Sequence, residues 1–216
     1  MKKMIFFANL VLMMLASVTL AQDNSALVQR ERKEQRAKAA LQKAVKDSPA
    51  AKALSMKVSA GESGAILEAA ATGDHSLIPY LKLLATKEFR SSQEGGAVDA
   101  HIALIKLGDE EALAQVIAET KDSSPSVQDV AIRKLARAGT KKAFQKLYEL
   151  LDDTAERHPN PILGRDEMYS PNNAVVAMYE LAEVVDNPPV KKNSVPSIND
   201  IPLWKAWFDK NKHLIE

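Results

Sequence analysis

Between residues 61 and 153 apolar positions recur every three or four residues, and no run alternates in the two-residue manner of a half-buried strand. Three segments align on one another. They are ILEAAATGDHSLIPYLKLLATKE (66–88), HIALIKLGDEEALAQVIAETKD (101–122) and AIRKLARAGTKKAFQKLYELLDD (131–153). Each reads as an apolar helix, a glycine, an Asp or Thr, and a second, amphipathic helix. In the second helices one face collects Leu77, Ile78, Leu81 and Leu84; then Ala112, Leu113, Val116 and Ile117; then Ala143, Phe144, Leu147, Tyr148 and Leu151. In the first helices the same face is marked by Ala65, Ile66, Ala69 and Ala70; by Val98, Ile102 and Ile105, widened by Leu104 and Leu107; and by Val127, Val130, Ala131 and Leu135.

The junction between the two helices has a specific chemistry. The first must stop and the chain reverse within about two residues, which a left-handed glycine at the helix C-terminus permits. Gly73, Gly108 and Gly139 stand at that place, 35 and 31 residues apart. Asp74, Asp109 and Thr140 follow, each able to accept from the free N–H groups that open the next helix, worth about 1 kcal/mol apiece. Ser124-Pro125 places a cap and an N1 proline at the start of a first helix.

Two helices per unit and a period of 31–35 residues are the pattern of a helical solenoid. The string GDHSLIPYLKLL, with Pro79 near the start of its helix, resembles the short bacterial HEAT-like repeats, and KLGDEEALAQVI and RAGTKKAFQKLYELL match it without the proline. The resemblance covers residues 61–153. It implies an all-α fold, a short α-solenoid of antiparallel helix pairs, with the second helices lining the concave side. That face would present Lys82, Gln115, Glu119, Lys142, Lys146 and Glu149, a mixture of signs that implies no ligand of a single charge.

Residues 154–216 depart from the pattern. A long loop, 152–170, leads to Ser170-Pro171, which is expected to open a helix carrying Ala174, Val175, Met178, Leu181, Ala182 and Val185. A second loop, 186–199, contains three prolines; Asp200 is expected to cap a last helix whose Trp204, Trp207 and Phe208, with Leu203 beside them, turn to the core. The Trp-x-x-Trp ending resembles the closing helix of exported HEAT-like proteins, and large aromatics suit the sealing of a stack end. Residues 22–60 form an N-terminal helical segment. Within it 25–47 is a charged helix with a thin apolar stripe (Leu27, Ala37, Leu41, Ala44, Val45), and Ser48-Pro49 opens a shorter helix with Ala51, Leu54 and Val58. Residues 1–21 carry two lysines, an apolar run and small residues at Thr19 and Ala21, which is the pattern of a secretory signal peptide cut between Ala21 and Gln22. Kept uncut, the same segment would be a membrane anchor.

Composition narrows the chemistry. The 29 basic and 28 acidic residues become 27 and 28 once Lys2 and Lys3 are removed, a balance unlike that of a nucleic-acid binder. The absence of Cys excludes disulfides, thiolate metal sites and cysteine nucleophiles. The four His are scattered: His75 at a helix start, His101 on a first helix at the edge of the core, His158 in a loop and His213 near the end. There is no phosphate loop, nucleophile elbow or His-Glu-x-x-His, so no catalytic, cofactor or metal site is expected. The candidate recognition surfaces are the long loop, with Glu156, Arg157, His158, Arg165 and Tyr169, and the second-helix face, with Lys142, Lys146 and Glu149. The expectation is an exported scaffold that binds a protein partner. An enzyme or lyase-type accessory and an envelope structural protein are the alternatives.

Overall fold

The computed structural model describes residues 32, 35, 36, 39, 40, 43, 45–62, 64–86, 94–155, 172–192 and 194–216. The chain divides into two compact units, Met1–Asp47 and Ser48–Glu216. In the first, every described residue is helical; Arg32, Gln35, Arg36, Ala39, Ala40 and Lys43 are exposed and Val45 is half-buried. The rest of the expected apolar stripe, Leu27, Ala37, Leu41 and Ala44, lies outside the described residues, as do Ala21 and Gln22.

The second unit is all-α, without a strand among the described residues. Its α-helices are α1 (Pro49–Ser59), α2 (Ala65–Ala71), α3 (Ile78–Thr86), α4 (Glu94–Lys106), α5 (Glu110–Glu119), α6 (Pro125–Ala138), α7 (Lys141–Leu150), α8 (Asn173–Val184) and α9 (Ile201–Lys210). Short 3₁₀ turns cover His75–Leu77, Ile198–Asp200 and Lys212–Leu214.

The junctions form as their residue types dictate. Gly73, Gly108 and Gly139 take φ of 72°, 80° and 64°. At each the next helix is then capped. Asp74 accepts from the Ser76 N–H at 2.9 Å, Asp109 from Ala112 at 2.9 Å, and Thr140 from Ala143 at 3.4 Å. Ser48 caps α1 by accepting from Ala51 at 3.2 Å.

The paired helices stack in order, an arrangement compatible with a helical solenoid. First helices α2, α4, α6 and α8 pack on one another in succession, and each second helix packs against the first helix of the following pair. Second helices of successive pairs do not pack closely on each other. The consequence is visible in burial. On α4, six consecutive residues from Ala100 to Ile105 are buried, and α8 buries Asn173 to Met178 and Glu180 to Ala182. The second helices bury one stripe only, such as Ala143, Phe144, Leu147 and Leu150. A helix enclosed on several sides needs apolar residues around most of its circumference, whereas an outer helix needs one face.

The C-terminal end is sealed by aromatics. Trp204 and Phe208 are fully buried, and Tyr148, Phe208, Trp207 and Trp204 form a chain of edge-to-face contacts with centroids 5.2–5.7 Å apart.

Four local expectations change. The first residue of α8 is Asn173, and Asn172 caps it by accepting from Val175 at 3.0 Å, whereas Ser170 and Pro171 lie outside the described residues. An Asn side chain two places further on takes the capping role assigned to Ser170-Pro171. Asp200 does not cap α9. It turns back to accept from the Ser197 N–H at 2.8 Å, closing a capping box on the 3₁₀ turn that precedes α9. Ser124 stands at the N-cap of α6 without capping it, its hydroxyl bonding that of Ser126 while Asp122 accepts the Ser124 N–H. Leu203 is half-exposed, because it lies on a different side of α9 from the Trp204–Phe208 stripe.

Candidate functional site

The face of the second helices is organised by ion pairs that cross from one helix pair to the next. Lys82 of α3 reaches Asp109 at 2.9 Å and Glu111 at 2.7 Å, at the start of α5. Glu110 of α5 reaches Lys142 at the start of α7 at 2.6 Å. Lys205 of α9 bonds Asp152 at the end of α7. The first-helix layer has its own links: Asp99 to Arg137 at 3.5 Å, and Arg133 to Glu180 at 3.0 Å. The buried Lys134 of α6 holds Glu119 of α5 at 2.8 Å, and Glu119 also accepts from Gln115 at 3.1 Å. The mixed signs on this face are therefore matched internally, joint by joint.

The electrostatics follow the geometry. Glu111 first, and Asp109 second, hold the Lys82 ammonium above the ordinary lysine range. Burial pushes the Asp109 carboxyl up, but the Ala112 N–H and Lys82 outweigh it and leave it below the usual carboxylate range. Asp109 thus both caps α5 and anchors the joint to α3.

Because the second helices stand apart, the ion pairs bridge open space. Beneath Lys82 lies a space of about 130 Å³ between α3 and α5, lined by Ala85, His101, Leu104, Asp109, Ala112 and Gln115. His101 is buried there, its Nδ1 2.9 Å from the Ala97 carbonyl oxygen. The larger space, about 210 Å³, opens where the α4–α5 turn meets the start of α7. The exposed Lys106, Glu110, Lys141 and Lys142 border it, over Ile105 and Leu113, which are buried in the core.

The expected recognition residues fall in three places. Lys142 lies on the larger cleft, paired with Glu110. Lys146 and Glu149 lie further along α7 and pair with each other at 3.1 Å across one turn. Glu156, Arg157, His158, Arg165 and Tyr169 lie outside the described residues. The ends of their loop are tied together: Asn173 donates to the Asp153 carboxylate at 2.7 Å, the Ala174 N–H to the Asp153 carbonyl at 3.1 Å, and Asn172 to the Thr154 carbonyl at 3.3 Å. Asp152 and Asp153 accordingly serve the fold at the base of the loop.

Lys106, Lys141 and Glu110 were not expected at a site. Aligning the helix pairs carries a signal for them. The first turn after the cap reads Glu110-Glu111 in one pair and Lys141-Lys142 in the next, and the paired residues Lys82–Glu111 and Glu110–Lys142 are 29 and 32 residues apart, about the spacing of the junction glycines.

Among the described residues no three His, Asp or Glu side chains converge as a metal site would require, and no helix is long and apolar enough to cross a membrane. Comparison with known protein families, with curated proteins and with solved structures finds no match to this chain.

Proposed function

We propose that the protein is an exported scaffold, built on HEAT-like repeats, that binds another protein and performs no chemistry of its own. The observation that carries this reading is the second-helix layer. Its helices stand apart over a closely packed first-helix layer, so the stack offers clefts bordered by charged side chains, a form suited to holding an extended chain. Export rests on residues 1–21, whose charged start, apolar run and small-residue exit fit a cleaved signal peptide. Aromatic closure by Trp204 and Phe208, in place of disulfides, suits a stack that must hold together without Cys.

Cross-linking in intact cells, followed by purification of the tagged protein from the envelope, tests the reading. A protein partner recovered in fixed proportion is the expected result. Recovery of none, together with turnover of a small molecule by the purified chain, contradicts it.

A further inference from the structure

A buried histidine keeps one nitrogen without a partner. His101 of α4 is only 7% exposed, and its ring borders the 130 Å³ space between α3 and α5. Its Nδ1 lies 2.9 Å from the Ala97 carbonyl oxygen, one turn back on the same helix. A carbonyl oxygen can only accept, so Nδ1 carries the proton and the neutral ring has a bare lone pair on Nε2. The two nitrogens point to nearly opposite sides of an imidazole, so this lone pair is turned away from the α4 backbone. Among the described residues nothing donates to it. Unlike the Trp204 Nε1, which is unpartnered and sealed in the core, it is not closed off, and it opens on the space beside the ring. Buried polar atoms are ordinarily paired, so an open acceptor at this depth points to a donor from outside.

The walls of the space are short of positive charge. Asp109 and Glu111 stand against one cation, Lys82, at 2.9 and 2.7 Å. Asp109 is fully used, since it also accepts from the Ala112 N–H. The Glu111 side chain is 82% exposed and only one of its oxygens meets Lys82. Gln115 donates its amide to Glu119 and keeps its carbonyl oxygen as an acceptor. His101, Glu111 and Gln115 thus offer acceptors from two helices, with one negative charge in excess. Among the described residues they do not converge as metal ligands do. The space is also smaller than the roughly 300 Å³ that a cofactor or drug-sized ligand needs. A group that fits must be small, cationic and able to donate to several separated atoms. A guanidinium, with five N–H donors spread over a plane, meets all three conditions, whereas an ammonium concentrates its donors at one atom.

We propose that this space receives the side chain of an arginine of the partner protein. One guanidinium N–H donates to His101 Nε2, and others donate to Glu111 and to the Gln115 carbonyl oxygen. This deepens the scaffold reading and rests on it. Lys82 is the resident competitor: in the free protein it holds Glu111, and the incoming arginine takes that carboxylate over while Lys82 stays with Asp109. The site therefore selects arginine over neutral side chains of the same shape.

The test is a titration of the isotope-labelled purified protein at mildly alkaline pH, followed by NMR at the His101 ring nitrogens and the Gln115 side-chain amide. The probes are an arginine capped at both ends, its capped citrulline counterpart, which is neutral and of the same shape, and free arginine. Capped arginine should bind saturably, with a Kd on the order of millimolar, and move the Nε2 resonance upfield as its lone pair accepts a hydrogen bond. Capped citrulline should bind at least about five-fold more weakly, and Glu111→Gln should weaken capped arginine by a similar factor. His101→Phe should weaken it about ten-fold, and His101→Gln, which returns an acceptor near the position of Nε2, should recover most of the loss. Lys82→Ala should tighten binding by freeing Glu111. Glu111 and Lys82 lie outside the core, so these two variants decide the matter if His101→Phe fails to fold. Absence of a saturable Nε2 shift, equal binding of citrulline, or weaker binding by Lys82→Ala overturns the proposal. Tighter binding of free than of capped arginine would mark a site for the free amino acid and overturn its assignment to a partner chain. A partner recovered from cells, with no arginine binding here, leaves the scaffold reading standing without this site. Arginine binding with no partner in cells removes the scaffold reading and the partner's arginine with it.

Discussion

One chemical change at two glycines should act in opposite directions. Gly108 closes α4 at φ 80°, and a Cβ added there meets no atom within 4 Å. Gly108→Ala therefore introduces no clash; its cost is the intrinsic penalty of a left-handed L-residue, roughly 1–2 kcal/mol, lessened by about 0.4–1 kcal/mol through the reduced freedom of the unfolded chain. If the backbone relaxes out of the left-handed region, the cost reappears elsewhere. The Asp109 N–H to Leu104 carbonyl bond at 2.9 Å and the Asp109 cap on Ala112 both depend on the turn. The expected net loss is about 1 kcal/mol. Gly96 lies inside α4, where an added Cβ likewise meets no atom within 4 Å, but its backbone is ordinary helix. Gly96→Ala should stabilise by about 0.5–1 kcal/mol through helix propensity alone. Urea denaturation followed by circular dichroism measures both, and the two midpoints should move apart by an amount corresponding to about 1.5–2 kcal/mol. Shifts in the same direction would refute the assignment of Gly108 as the pivot of a helix pair.

Phe208→Ala, at a fully buried ring in edge contact with Tyr148 and Trp207, should cost about 3–5 kcal/mol in chemical denaturation, whereas Leu203→Ala on the exposed side of the same helix should stay within about 0.5 kcal/mol of wild type. The Asp109 carboxyl is held below its ordinary value of 3.8, so its charge contributes stability that is present above that value and lost as pH falls below it. Asp109→Asn keeps a capping oxygen and removes the charge, so its deficit relative to wild type, measured by urea midpoint, should be largest near neutral pH and shrink below pH 3.8; a deficit independent of pH would refute the role of the charge. Mass analysis of the protein recovered from cells should find Gln22 as the first residue, and any other start refutes the cleavage site.

The helix pairs were legible in the amino-acid order because their junctions are governed by local chemistry. A glycine able to turn left-handed, followed at once by a side chain that accepts hydrogen bonds, determines a helix end and a helix start within three residues, and Gly73-Asp74, Gly108-Asp109 and Gly139-Thr140 behave accordingly. Where several polar residues compete for the same task, reading by type fails. Asn172 rather than Ser170 caps α8, and Asp200 serves the 3₁₀ turn before α9 instead of α9 itself. Leu203 was misplaced because the last helix turns its Trp204–Phe208 stripe inward and leaves Leu203 on its exposed side. The larger cleft could not be read directly. It depends on second helices standing apart, which follows from how tightly the first helices pack, a property of side-chain volume across four helices. The charges bordering it become legible only when successive helix pairs are laid side by side and Glu110-Glu111 is seen to give way to Lys141-Lys142.

A photo-reactive side chain placed at Lys142, on the cleft, and separately at the exposed Met56 of α1 tests most directly whether the second-helix layer is a protein-binding surface. Irradiated in cells, the protein labelled at position 142 should yield one discrete protein adduct in the envelope fraction, and the protein labelled at position 56 should not. No adduct at 142, or the same adducts from both positions, would contradict the account.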